Sequence, residues 1–77
     1  MKTQNFNVVN GVVSGNVDMA QEGYSLLGVI GFNPGNSNYV INQITVGKNN
    51  LYFSCRHINN NTASGEINAS FLGLYIK

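Results

Sequence analysis

The feature that most constrains the fold is an alternation of short apolar runs with turn-forming residues. From Asn5 to Lys77 the sequence is a succession of strand-like runs, most of them with a period of two, and of turns rich in asparagine and glycine, one of which holds the single proline. Side chains that alternate in this way point to opposite faces of a β-strand. The sequence therefore predicts an all-β domain, a small antiparallel β-sandwich or meander, with no helix longer than two turns.

The turn-forming residues also predict the individual strands. Asn10-Gly11 stands between β-branched residues, which is the strongest short signal for a β-hairpin. The polar stretch 18–23 is long enough for barely one helical turn, and so short a helix is only marginally stable by itself. Further strands are predicted at 24–32, 39–46, 51–58 and 66–77. Short loops join the last three of them, so we expect these three to pair as an antiparallel meander.

The length of the chain limits how stable it can be alone. Its 77 residues make one domain, and a domain of this size buries only about 60% of its unfolded surface. Small domains are usually reinforced by disulfides, a structural metal or oligomerisation. Cys55 is the only cysteine and His57 the only histidine, so neither an internal disulfide nor a structural zinc site is available. We predict a single β domain over 1–77 that self-associates and uses no metal and no cofactor.

Side-chain parity separates an inner from an outer face in the strand 51–58. The face predicted to be the core carries Leu51, Phe53, Cys55 and His57. The opposite face carries Tyr52, Ser54, Arg56 and Ile58, and we expect it to meet solvent or a partner. In the last strand, by the same parity, Ile67, Ala69 and Phe71 share one face.

Two segments are apolar on both faces: "LLGVIGF" at 26–32 and "FLGLYIK" at 71–77. A small antiparallel sandwich buries one face of each strand, so a second apolar face predicts a subunit interface. Gly73 is predicted to mark a β-bulge in the last strand. The residues predicted to form the interface are Leu27, Val29, Leu72, Leu74 and Ile76.

Charged side chains are scarce, and this excludes several classes of partner. They make up 9% of the chain, against about 25% in typical domains, and the net charge is +1. Such a chain has no basic surface for nucleic acid or acidic lipid, and its longest apolar stretch is too short for membrane insertion. Fourteen asparagines supply a neutral polar surface instead. The first residues contain no apolar core of a signal peptide.

The segments "GYSLLGVIGF" at 23–32 and "FLGLYIK" at 71–77 resemble motifs in the C-terminal head domains of tail fibres and receptor-binding proteins from phages and prophages of Gram-positive bacteria. The matching residues are Gly23, Tyr24, Leu27, Gly28, Val29, Ile30 and Gly31, then Leu74, Tyr75, Ile76 and Lys77. The resemblance covers about residues 20–77 and does not include a fibre shaft. It implies a β-rich homotrimer at the distal tip of a virion tail fibre, in contact with a bacterial cell-surface polysaccharide or wall polymer.

No set of residues predicts catalysis, so we do not expect an enzyme. Cys55 and His57 share a strand face about 6–7 Å apart. They form either a Cys–His dyad or, as we favour, a buried thiol next to a histidine at the edge of the core. The three acidic residues Asp18, Glu22 and Glu66 lie in separate segments, which argues against the carboxylate pair of a glycosidase.

Candidate ligand-binding residues lie in two loops and on the outer face of the strand 51–58. Arg56, with Tyr52 on the same face, can bind sugar hydroxyls or a phosphate; the alternative is a solvated or interface arginine. Asparagine side chains both donate and accept, which suits polyol recognition; the alternative is ordinary turn chemistry. The candidates are Asn36, Asn38, Tyr52, Arg56, Asn60 and Asn61.

Three functions remain open at this point. The leading one is a virion-associated binding module, the tip of a phage tail fibre that recognises a bacterial surface glycan. The second is a structural particle protein, such as a capsid decoration or fibre-assembly piece, without a ligand of its own. The third is a bacterial lectin or adhesin module. For the first, we expect a tail protein of the virion that is made in the bacterial cytoplasm without a signal peptide and acts outside the cell.

Overall fold

The computed structural model covers residues 1–77 and is built from β-strands without any helix. The strands are β1 (Lys2–Val8), β2 (Val12–Asp18), β3 (Ser25–Asn33), β4 (Tyr39–Val46), β5 (Asn50–His57) and β6 (Gly65–Ile76). The all-β class is therefore confirmed, and the last four strands begin and end within one residue of their predicted bounds. Of the stretch 18–23, Asp18 ends β2 and the remaining residues form a loop.

The strands form two three-stranded antiparallel sheets. Sheet 1 has the order β1-β6-β3, and sheet 2 has the order β2-β5-β4. Their inner faces meet in one core of 12 buried residues. The predicted inner face of β5 is confirmed, since Leu51, Phe53 and Cys55 are fully buried and His57 is half-buried at its end. The architecture is the small sandwich that the sequence predicts.

The predicted hairpin at Asn10-Gly11 is a true turn, but the strands that it joins enter different sheets. Asn10 and Gly11 have φ angles of 51° and 73°, and the N–H groups of Val9 and Val12 each donate to the other residue's carbonyl at 3.0 Å. Beyond this one pair, β1 joins β6 and β2 joins β5. Both strands carry an apolar inner face, so folding one over the other buries both faces, which a flat hairpin would not do.

The predicted meander of the last three strands is wrong in its final step. Strands β4 and β5 do pair through the turn at 47–49, but β6 crosses to sheet 1 and lies between β1 and β3. The loop 58–64 is long enough for this crossing. As the central strands of opposite sheets, β5 and β6 place their buried faces toward each other, and β6 contributes Ile67, Ala69 and Phe71 to the core.

All four phenylalanines of the chain meet in the middle of the sandwich. The ring of Phe53 in β5 lies 4.7 Å from Phe6, 5.1 Å from Phe71 and 5.9 Å from Phe32, measured between centroids. These three neighbours come from β1, β6 and β3. Edge-on and tilted aromatic pairs at such distances contribute beyond the area that they bury. One side chain of sheet 2 therefore contacts all three strands of sheet 1.

Strand β6 serves two neighbours in succession. It pairs with β1 from Gly65 to Phe71 and with β3 from Ser70 to Ile76. Because β1 begins at Lys2, opposite Phe71, the backbone of residues 72–76 has no neighbouring strand on that edge of β6. The bulge predicted at Gly73 is wrong: β6 runs without interruption, and the register shifts fall in β3, at Leu27 and Ile30.

Candidate ligand-binding face

The outer face of sheet 2 presents its side chains in rows across three strands. Tyr52 in β5 lies between Asn16 of β2 and Thr45 of β4. In the next row, Ser54 lies between Ser14 and Gln43. Cross-strand partners stand on the same face of a sheet, so these six side chains form one surface of hydroxyl and amide groups around an aromatic ring.

Arg56 lies in the third row of this face, between Val12 and Val40. Its guanidinium is the only positive charge in the three rows, and it is exposed like the ring of Tyr52. Tyr52 and Arg56 are four residues apart on one strand, which separates them by about 13 Å. The two predicted residues thus share a face, but they can contact only the same extended ligand and not the same small group.

The predicted loop asparagines gather at the end of the sandwich next to Arg56. The loop 34–38 is tied to the loop 58–64 by a hydrogen bond from Ile58 N to Asn38 O at 2.8 Å. The Asn10-Gly11 turn is tied to the same loop by a bond from Gly11 N to Ala63 O at 2.9 Å. Three separate segments of the chain therefore form one asparagine-rich surface.

The side-chain oxygens of two predicted asparagines are already occupied. Asn36 Oδ1 accepts the backbone N–H of Asn38 at 2.9 Å, and Asn60 Oδ1 accepts the N–H and hydroxyl of Thr62 at 3.0 and 2.9 Å. These are turns in which a side chain replaces a backbone carbonyl. The amide NH₂ groups remain exposed as donors, as do the side chains of Asn38 and Asn61.

The surroundings of Cys55 and His57 do not favour a reactive pair. Cys55 is fully buried, and burial raises the pKa of its thiol, which disfavours the nucleophilic thiolate. His57 Nδ1 accepts a hydrogen bond from the N–H of Asn59 at 3.2 Å, and its ring packs edge-on against Tyr39 at 5.1 Å. Both contacts of His57 hold its ring in place at the C-terminal end of β5.

The residues predicted for a subunit interface divide between two faces. Leu27, Leu72, Leu74 and Ile76 are exposed on the outer side of sheet 1. Val29 is half-buried and packs against the core instead. Ile30, which the sequence prediction omitted, is exposed beside the first four because a bulge reverses the parity of β3 there. The glycines at 28 and 31 were the signal for it, since glycine in a strand often marks a bulge.

A pocket of about 170 Å³ lies away from these surfaces, beside the unpaired segment of β6. It is lined by Met1, Lys2, Asp18, Met19, Ala20, Gln21 and Tyr75. The hydroxyl of Tyr75 donates to the carbonyl of Met19 at 2.5 Å. No buried side-chain polar atom in the chain lacks a partner, so no orphaned group points into this pocket.

No protein family, curated protein or solved structure was found to match the chain. No three acidic, histidine or cysteine side chains lie close enough together to hold a metal ion. The chain has no helix that is long and apolar enough to span a membrane.

Proposed function

We propose that this chain is a non-enzymatic binding module, the distal tip of a phage tail fibre that recognises a glycan on the bacterial surface. The observation that carries the glycan part is the outer face of sheet 2, where Tyr52 stands among uncharged hydroxyl and amide groups and Arg56 lies one row beyond them. The virion setting, outside the cell, comes from the resemblance of "GYSLLGVIGF" and "FLGLYIK" to fibre heads.

The side chains of this face match the chemistry of a polysaccharide. The flat apolar side of a sugar ring packs on an aromatic ring such as that of Tyr52. Sugar hydroxyls both donate and accept, so they bind asparagine, glutamine, serine and threonine equally well. Arg56, about 13 Å away along the strand, adds charged donors for a hydroxyl or phosphate further along the polymer. The exposed amides of Asn36, Asn38, Asn60 and Asn61 extend the surface at the adjoining end.

The proposed functional unit is a homo-oligomer. The outer face of sheet 1 carries exposed apolar side chains, and such a patch is typical of a surface that packs against another protein chain. The resemblance to fibre tips gives the number of copies, because a fibre with three-fold symmetry ends in a three-fold head. Three copies of a weak site on one particle bind a polymer with repeating units far more tightly than one copy.

Adhesion to cells of Gram-positive bacteria, and binding to purified wall polysaccharides, test the glycan proposal. We expect Tyr52→Ala and Arg56→Ala each to weaken adhesion about tenfold, as is typical for central aromatic and arginine contacts. Lys48→Ala is the matched control, because it removes one exposed positive charge from a turn at the opposite end of the sandwich. Adhesion unchanged in both test variants would remove this face from consideration.

A structural particle protein without a ligand is the second candidate. The observation in its favour is that the side-chain oxygens of Asn36 and Asn60 already accept hydrogen bonds within local turns. Such a protein would bind none of the cells or polymers, whatever its oligomeric state.

A bacterial lectin or adhesin is the third candidate. It is distinguished by the neighbourhood of its gene, which would not lie among tail and lysis genes.

A further inference from the structure

We infer that the outer face of sheet 1, around Ile30 and the recess at Gly28, is the surface through which copies of this chain pack on one another. The inference builds on the proposed homo-oligomer by naming its interface, and it does not depend on which ligand sheet 2 binds. The partner is a second copy of the same chain. The residues that carry the inference are Leu27, Ile30, Leu72, Leu74 and Ile76.

These five side chains form one uncharged apolar patch. Each is between 43% and 62% exposed. Neither Ser25–Phe32 nor Ser70–Ile76 contains a charged residue. The other half of the same face is polar and internally bonded, since Asn68 Nδ2 donates to Asn5 Oδ1 at 2.6 Å and the hydroxyls of Thr3 and Ser70 lie 3.1 Å apart. The patch therefore has a defined boundary within the sheet.

The relief of the patch is complementary to itself. Leu74 and Leu72 of β6 stand opposite Gly28 and Gly31 of β3. On β3 the exposed side chains of Leu27 and Ile30 flank Gly28, which leaves a gap between them. A Cβ atom added at Gly28 would meet nothing within 4 Å, so this gap is open, whereas the side chain of Leu72 already covers Gly31. The ridge formed by Leu72 and Leu74 in one copy can enter the recess over Gly28 of another.

The size of the patch fits an interface between copies. Five half-exposed leucine and isoleucine side chains leave on the order of 400 Å² of apolar surface, at the scale of the largest patches on monomers. A stable interface buries about 800 Å² per partner, of which roughly 60% is apolar. The unpaired edge of β6 at 72–76 borders the patch and adds polar backbone groups at its rim.

Packing on sheet 1 would direct sheet 2 outward in every copy, because the two outer faces lie on opposite sides of the sandwich. Tyr52 and Arg56 would then be presented to the surroundings by each copy at once. On sheet 2, the exposed valines Val12 and Val40 are separated by the charged Arg56. This difference between the faces provides a matched control.

Sedimentation equilibrium over a range of protein concentrations tests the inference with two variants. Leu74→Ser removes part of the ridge. Gly28→Val fills the recess; the glycine has no positive φ and has free space around it, so the monomer tolerates the added side chain. We expect each variant to weaken association at least 100-fold. Val40→Ser, an equally exposed apolar residue on sheet 2, should leave association unchanged.

The wild-type chain should sediment as a multiple of 8.3 kDa. A trimer supports both the interface and the three-fold proposal, whereas a dimer supports the interface and contradicts the number three. A folded monomer at about 100 µM, where even weak specific complexes form, overturns the inference. So does a Gly28→Val protein that stays assembled, or a wild-type monomer that binds neutral lipid vesicles through this face. Cell adhesion is measured separately, so loss of assembly and loss of ligand binding remain distinguishable.

Discussion

Replacing Phe53 with alanine should remove a large share of the stability of the domain. Phe53 is fully buried and contacts one phenylalanine from each strand of sheet 1. Buried Phe→Ala substitutions cost about 3–5 kcal/mol. The upper part of that range applies here because the three neighbouring rings are anchored on different strands and cannot all collapse into the cavity. A domain of 77 residues has a free energy of unfolding of roughly 4–12 kcal/mol.

Urea denaturation at a fixed protein concentration, followed by circular dichroism and tyrosine fluorescence, measures this loss. Phe53→Leu, which keeps most of the volume, should lose about 1–2 kcal/mol through the missing aromatic contacts. Tyr52→Ala, one residue away on the opposite face, should change the free energy of unfolding by only about 0.5 kcal/mol. If Tyr52→Ala costs as much as Phe53→Ala, β5 is shifted by one residue and the two faces described here are exchanged.

Three further predictions concern a glycine, a hydrogen bond and a thiol. Gly35→Ala should destabilise the domain by about 2 kcal/mol more than Gly23→Ala, because both glycines have positive φ but only at Gly35 would a Cβ collide with the carbonyl of Asn68; equal losses in urea titrations would contradict this. Tyr75→Phe should cost about 1–2 kcal/mol, since the Met19 carbonyl loses its donor, and a neutral result by thermal denaturation would mean that water replaces the hydroxyl. Burial raises the pKa of the Cys55 thiol above its ordinary value of 9.0, so the folded state holds that proton more tightly than the unfolded state. Its contribution to stability is therefore complete below pH 9 and is lost as the pH rises further. Cys55→Ala should flatten that part of the pH profile, and an identical slope in both proteins would exclude the thiol as its cause.

The sequence predicts the strands of this fold better than it predicts their pairing. Alternation locates β4 and identifies the buried face of β5, because both depend on neighbouring residues alone. The partner of β6 depends on which apolar faces must meet across the core, and a loop of seven residues permits either sheet. Asn10-Gly11 fixes a turn in the same way, but the turn does not determine how far its two strands remain paired.

The candidate site shows the same limit. Parity alone places Tyr52 and Arg56 on one face, whereas their neighbours Asn16 and Thr45 are found only once the register with β2 and β4 is known. Val29 is predicted at the interface but packs against the core, and Ile30 is exposed instead, because the bulge at Leu27 shifts the alternation of β3 before both residues. Gly28 and Gly31 indicate that β3 contains bulges, but they do not indicate whether the unpaired residue comes before or after each glycine.

The position of β6 has a consequence for the order in which the chain can fold during synthesis. Every strand of sheet 2 has been made once His57 is complete, so that sheet can assemble early. Strands β1 and β3 have no partner until β6 follows, and the pairing of Lys2 with Phe71 spans almost the whole chain. Such distant pairings form slowly, and unpaired strands meanwhile invite contacts with other chains. A nascent chain paused before Gly65 would contain a complete sheet 2 and two unpaired strands, β1 and β3, whose Phe6 and Phe32 would lack their contacts with Phe71.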